Sequence, residues 1–289
     1  MGADMNARTS LGRIALYLLL TLVALYYLAP LYVMISTSLK SLDEIRSGNL
    51  LDLPLHPSSA SWVKAWSSAC TGVRCEGLAP YFWNSVNMAV PAVLISSLIG
   101  SLNGYVLAHW RFRGSNVIFT ALMVGCFIPF QVVILPMARV LGMADLANTT
   151  GGLVLVHIIY GIAFTTLFFR NYYVSVPEEL VNAARIDGAG FFTIYRRIIF
   201  PLSLPIFMVC FIWQFTQIWN DFLFGVVFGG SDAQPVTVAL NNLVNTSTGV
   251  TEYNVNMAAA IIAALPTLGL YLVAGKYFVR GLTAGAVKG

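Results

Sequence analysis

Gln214, Gln217 and Asp221 stand at i, i+3 and i+7, so a helix through them carries two amides and a carboxylate on one face, with Trp219 and Asn220 alongside. Such groups can hold a polar solute by hydrogen bonds. They are conspicuous because the residues around them are apolar. A polar face of this kind lines a cavity, packs against another polar helix, or ends a helix at a membrane boundary, and the residues alone leave these readings open. Gln131, two residues after Pro129, likewise lines a pathway or makes a packing contact near an outer face. His157 is alone in an apolar run, as an interhelical donor, a ligand or a proton carrier. Cys70 and Cys75 lie in a mixed-charge segment, where they form a disulfide if that side is oxidising and free thiols otherwise.

Several chemistries have no residues to carry them. There is no G-x-x-x-x-G-K-[ST] phosphate loop, so the chain lacks the usual means of holding ATP. There is no H-E-x-x-H, and a zinc site at the cysteine pair would need further ligands where only His56 is near. His56, His109 and His157 fall at different levels of the chain. No metal site, no cofactor bound by this chain and no intramembrane enzyme are expected.

The elements that must position these residues are membrane spans. Of 289 residues, 58% are hydrophobic and 10% charged, far from the roughly 25% charged of soluble domains. The net charge of +4 could suggest nucleic acid, but the basic residues are spread over short segments between apolar runs. No nucleic-acid partner is expected; the partner of these surfaces is membrane lipid. Six runs are long enough to cross a hydrocarbon core of about 30 Å, at 14–36, 84–108, 117–138, 152–169, 202–228 and 257–278. The first run is too long for a cleavable signal and lacks a small-residue cleavage site, so it should remain as the first span. With residues 1–13 inside, only Lys40, Arg46, Lys64, Arg74 and Arg139 of the sixteen Lys and Arg fall outside. Positive-inside bias therefore predicts cytoplasmic N- and C-termini, a permease domain over 14–280, outer loops near 37–83 and 229–256, and a cytoplasmic tail at 281–289.

Between spans four and five lies a long polar segment, about 171–201, that should be a helical elbow at the membrane surface. Ser175 and Glu178 have the spacing of a capping box, and Glu178 and Glu179 suit a first helical turn. Gly188 would end this helix, and a second would run from about Phe191 until Pro201 stops it.

The elbow resembles the cytoplasmic loop of bacterial ABC importer permeases, which reads E-A-A, three residues, G, nine residues, I-x-L-P. Here Asn182-Ala183-Ala184, Gly188, Ile198, Phe200 and Pro201 keep those spacings, with Asn182 in place of Glu and Phe200 in place of Leu. Asp187-Gly188-Ala189, Trp219-Asn220-Asp221-Phe222 and the tail from Tyr277 resemble the carbohydrate branch, in particular the second transmembrane subunit of maltose-type systems. Trp83-Asn84-Ser85 and the cysteine-containing loop are similar to glucose and mannose importers.

The resemblance implies an all-α polytopic membrane protein with six transmembrane helices and the type I ABC importer permease fold, in a bacterial inner membrane. It implies a binding-protein-dependent, ATP-driven carbohydrate importer, with a monosaccharide such as glucose or mannose as cargo and an oligosaccharide or polyol next. The implied partners are a second permease subunit, forming a heterodimer, two ATPase subunits that hold ATP and magnesium, and a periplasmic sugar-binding protein. Glu179, Asn182, Ala183, Ala184, Asp187, Gly188 and Ala189 would couple to the ATPase. Gln131, Gln214, Gln217, Trp219, Asn220 and Asp221 would line a translocation pathway. The alternative is an ion-coupled secondary transporter of a polar solute, which should carry membrane-embedded carboxylates; only Asp221 comes near to qualifying.

Overall fold

The computed structural model describes residues 2–110, 112–245 and 250–286, with side chains described for 12–110, 112–245 and 250–275. Arg111 and the end of the tail, including Lys288, lie outside the described residues, as do the side chains of Arg8, Lys276 and Arg280. The described chain is helical throughout, apart from turns, loops and one isolated bridge, Thr71 to Arg74. It divides into two compact units, Met1–Leu78 with Asn242–Ile262, and Ala79–Asn241 with Ala263–Gly289.

The first unit begins with α1 (Gly2–Ser38), a long apolar helix that runs through Pro30 without a break. Its side chains from Ile14 to Tyr32 are largely exposed, whereas Ser36, Thr37 and Ser38 are buried at its end. That end is held by chain returning beneath it. Tyr32 Oη donates to Leu51 O at 2.8 Å, Ser36 Oγ to Asp52 O at 2.9 Å, and Lys40 Nζ to Asn49 O at 3.3 Å. Two short helices follow, α2 (Leu42–Ser47), capped by Ser41, and α3 (Ala60–Ser67). The segment expected as a plain outer loop is therefore a folded cap. Asn254 Nδ2 donates to Lys40 O at 3.1 Å, and Lys64 pairs with Glu252, tying the later stretch of this unit to the earlier one.

The second unit is organised around α4 (Ala79–His109), which packs along its length against a helix at Thr150–Tyr173. The close approach comes from small residues. A Cβ added at Gly100 would meet Thr165 Oγ1 at 2.3 Å, and one at Gly104 would meet Arg170 N at 2.7 Å. Thr165 Oγ1 donates to Ser96 O at 3.0 Å across this seam, the arrangement expected where helices are held together in lipid by packing and hydrogen bonds.

The third expected span is broken. Its residues form α5 (Ser115–Phe127) and α6 (Phe130–Met143), which meet at 104°. Pro129 precludes an amide bond back into α5, and Ile128 before it takes extended backbone, φ −69° and ψ 121°. α7 is the Thr150–Tyr173 helix, capped by Thr149. The elbow contains α8 (Glu178–Ile186) and α9 (Phe191–Ile194), then a π-turn at Tyr195–Ile199 and α10 (Phe200–Leu202).

The fifth expected span ends earlier than its apolar run. α11 (Leu204–Trp219) stops at Asn220, and α12 (Leu223–Phe228) is a separate short helix. The break occurs because Asp221 turns its carboxylate onto the first amides of α12, accepting from Phe224 N at 3.3 Å and Gly225 N at 3.1 Å. α13 (Val236–Asn245) lies in the expected outer loop, and α14 (Tyr253–Ala286) passes Pro266 unbroken. Among the described residues four helices are long and apolar enough to cross a membrane, or up to six if each of two bent pairs counts as one span.

Candidate functional site

The elbow is built from its termination signal outward. Gly188 takes φ +81°, its N–H reaches Arg185 O at 3.0 Å, and Ala189 N reaches Ala184 O at 2.9 Å. These are the two bonds of a Schellman ending, which satisfies carbonyls that α8 would otherwise leave open. The start of α8 differs from expectation. Ser175 Oγ donates to Tyr172 O at 2.7 Å, so it makes no capping box with Glu178, and Pro177 occupies the cap position. Pro177 presets the entry φ and lacks the amide that a cap would have to satisfy.

Nor does Pro201 stop the second elbow helix. The π-turn ahead of it lets Phe200 N donate to Tyr195 O, five residues back, and the helix continues to Leu202 before bending by 75° into α11. The wider turn absorbs the ring that would crowd the carbonyl four residues earlier.

One side of the elbow is fastened to the bundle. Val181, Ile194 and Ile199 are buried in a core with Tyr105, Phe169, Tyr173 and Phe207. Ser101 Oγ lies 2.6 Å from Tyr173 Oη and 2.9 Å from Tyr195 Oη. Arg185 Nη2 donates to His109 O at 2.9 Å, and Nη1 to Asn182 Oδ1 at 3.3 Å. The other side is open. Glu179, Asn182, Ala183, Asp187 and Gly188 are exposed, with Ala184 and Ala189 half-buried. Ile186 is 86% and Phe192 72% exposed, with Leu180 beside them at 45%. Arg185 was legible in the sequence only as a positive charge; its role as a clasp depends on His109, whose carbonyl it holds, and on Trp110, whose ring it covers, both distant in the chain.

The polar residues of the fifth span separate into two groups. Gln214, Gln217 and Asp221 share a cavity of about 240 Å³ with His157, Tyr160 and Trp213, and with Phe130, Phe164 and Phe224. Trp219 does not line it. It is buried, stacks on Phe215 at 5.3 Å, and donates from Nε1 to Ala263 O at 2.8 Å. Asn220 Nδ2 returns to Thr216 O at 3.0 Å, a helix-end contact, and Gln131 is exposed at the start of α6, away from the lining. Gln214 is largely committed to packing, since its Nε2 donates to Ser96 Oγ at 3.1 Å over Gly161. His157 is not the satisfied interhelical donor its surroundings suggested: it is 5% exposed and its Nε2 has no hydrogen-bond partner. The aromatic walls come from four separate helices, α6, α7, α11 and α12, and nothing distinguished them in the sequence from ordinary apolar packing.

In the first unit, Cys70 and Cys75 are joined in a disulfide. The short loop they close carries Thr71 N bonded to Arg74 O at 2.8 Å and a fully exposed Val73 at its tip. No group of His, Cys, Asp and Glu suited to a metal occurs among the described residues.

Residues 86–280 match the family model described as the binding-protein-dependent transport system inner membrane component. The chain belongs to that family. This permease is 38% identical over 284 residues to a probable ABC transporter permease of Pyrococcus horikoshii, covering 98% of this chain and 99% of the relative. It is 35% identical to the xylose/arabinose import permease protein XacI of Haloferax volcanii, over 98% of this chain and 96% of the relative. Its fold is similar to a chain in the crystal structure of a bacterial ABC transporter that imports the acidic polysaccharide alginate, with a TM-score of 0.80 at 22% identity, covering 92% of this chain and 95% of that one. The permease is thus a multi-pass inner-membrane component and has no ATPase site of its own.

Proposed function

We propose that the permease is one half of a transmembrane heterodimer in an ATP-driven carbohydrate importer. Two ATPase subunits carrying ATP and magnesium power it, and a periplasmic sugar-binding protein delivers the cargo. Both termini and the elbow are cytoplasmic. The observation that carries this reading is the exposed apolar tip formed by Leu180, Ile186 and Phe192 on an elbow whose opposite side is locked into the bundle. Large apolar side chains left open on a rigid support gain free energy when a partner covers them, roughly 25 cal/mol per Å² buried. A rigid support then transmits that partner's movement to α7 and α11. Glu179, Asn182, Ala183, Ala184, Asp187, Gly188 and Ala189 form the rest of the docking surface.

ATP favours the state in which the ATPases close, because only differential binding can shift the equilibrium. The elbows transmit that closure, and the spans rock from inward- to outward-facing. A monosaccharide such as glucose or mannose is the proposed cargo. The xylose and arabinose for which XacI is named support a single sugar ring. The test is uptake into vesicles containing the assembled complex with ATP inside, comparing native protein with Gly188→Asp. ATP-dependent uptake that this substitution abolishes supports the coupling role. Uptake that ignores ATP and follows a proton or sodium gradient overturns the reading in favour of a secondary transporter.

A further inference from the structure

Two kinds of contact fasten the elbow to the bundle, and they do different things. The apolar core around Val181, Ile194 and Ile199 presses the elbow onto α4 and α7, but apolar burial has no preferred direction and leaves the register of the elbow along those helices open. Hydrogen bonds are directional and can fix it. Ser101 stands on α4 between Gly100 and Gly104, the two positions that leave no room for a β-carbon against α7, and it is fully buried. Its Oγ reaches Tyr173 Oη of α7 and Tyr195 Oη of the π-turn at 2.6 and 2.9 Å. Serine carries one hydroxyl proton, so Ser101 donates to one tyrosine and accepts from the other. Ser203, at the bend into α11, directs its own proton to Phe200 O at 2.8 Å, and its side chain also interacts with the Tyr173 hydroxyl. The order that uses each proton once runs from Tyr195 to Ser101, Tyr173, Ser203 and the Phe200 carbonyl. It leaves one end of the π-turn, passes through α4 and α7, and returns at the other end.

We propose that Ser101 and Tyr195 are positioning residues for coupling: their hydroxyls, with that of Tyr173, fix the register of the elbow against α4 and α7, so that movement imposed on the elbow reaches the bundle through this chain rather than through the apolar contact around it. The assignment rests on the importer reading above and adds to it the joint between elbow and bundle. Tyr195→Phe isolates the effect. It keeps the ring that lies 5.6 Å from Tyr105 and 6.1 Å from Phe200, and Ser101 can still donate to Tyr173, so no buried donor is stranded. The elbow stays attached and loses its directional tie.

The experiment uses the complete importer in liposomes with ATP inside and saturated binding protein outside. D-glucose, D-mannose and D-xylose are tried, and the sugar carried fastest is used throughout. Uptake and ATP hydrolysis are measured on the same vesicles, and the readout is sugar carried per ATP. A merely structural contact lowers the amount of assembled complex, so uptake and hydrolysis fall together and the ratio stays. Tyr195→Phe and Ser101→Ala should instead keep hydrolysis and lower the ratio about fivefold or more, within the usual range of coupling between sites. The double variant should be no worse than either single one, because both cut the same chain. Asn103→Ala serves as control, since it removes the hydrogen bond from Asn103 Nδ2 to Thr166 Oγ1 in the same α4–α7 seam without touching the elbow, and should leave the ratio native. Should Ser101→Ala not assemble, Tyr195→Phe decides. A native ratio in Tyr195→Phe, its failure to assemble, or an equal fall in Asn103→Ala overturns the proposal. Absence of ATP-dependent uptake of all three sugars by the native complex overturns the importer reading itself, and the coupling assignment with it.

Discussion

The Arg185 guanidinium lies 4.3 Å above the Trp110 ring while its Nη2 holds the carbonyl of His109, so one side chain of the elbow closes over the end of α4 by stacking and by hydrogen bonding at once. Arginine suits this position because its planar fork stacks on the ring while still presenting donors to the carbonyl, whereas the compact, strongly hydrated ammonium of lysine gives up the stacking. Arg185→Lys should therefore behave more like Arg185→Ala than like the native protein. Loss of an exposed cation–π contact costs about 0.5–1 kcal/mol. The expected result is a small drop in the melting temperature of the purified permease and a larger loss of ATP-coupled uptake, measured in the same two variants.

At Gly188 the cost of substitution is conformational. A Cβ there would meet nothing within 4 Å, yet φ is +81°. A β-carbon in this left-handed region costs about 1–2 kcal/mol, and Asn tolerates it better than most residues. Coupled uptake should fall in the order Gly, Asn, Ala. Equal activity for Gly188→Asn and Gly188→Ala would show that backbone strain is not the limiting factor.

Gly161 is constrained by close approach. An added Cβ would fall 2.0 Å from Gln214 Nε2, so Gly161→Ala must displace that amide from Ser96. Overpacking of this kind costs about 1–3 kcal/mol. Thermal denaturation should show Gly161→Ala clearly destabilised and the Gly161→Ala/Gln214→Ala pair partly recovered, because the second change removes the obstructing group.

The disulfide closes a loop of only a few residues, for which chain entropy predicts a stabilisation of about 2 kcal/mol. Reduction, or Cys70→Ser with Cys75→Ser, should loosen the turn that Thr71 and Arg74 close. Trypsin cleavage after Arg74 reads this directly and should accelerate, with the rest of the chain cut at its native rate.

The long apolar runs made four of the spans legible, because their composition and length leave a helix little alternative in lipid. Gly188 was legible for a similar reason: few other residues end a helix in that conformation so cheaply. The broken third span was not, since Pro129 is compatible with a kink as well as a break, and Pro30 and Pro266 are in fact carried inside continuous helices. The end of the fifth span was obscured because the polarity of Asp221 suits a helix face as well as it suits a cap. Half of the expected pathway residues meet at the cavity. The aromatic walls escaped notice because Phe130, Tyr160 and Trp213 acquire their meaning only when α6, α7 and α11 converge.

The π-turn at Tyr195–Ile199 has a consequence for how the elbow tolerates insertions and deletions. In a regular α-helix residues five apart point about 140° away from each other, yet Ile194 and Ile199 are both buried while Arg196 and Arg197 are exposed between them. The wider turn acts as a one-residue phase correction, bringing two apolar anchors back onto the same side before Pro201. Deleting a single residue here would restore ordinary helical geometry and at the same time rotate everything upstream of it, so the exposed tip at Ile186 and Phe192 would face a different direction with its own local structure intact.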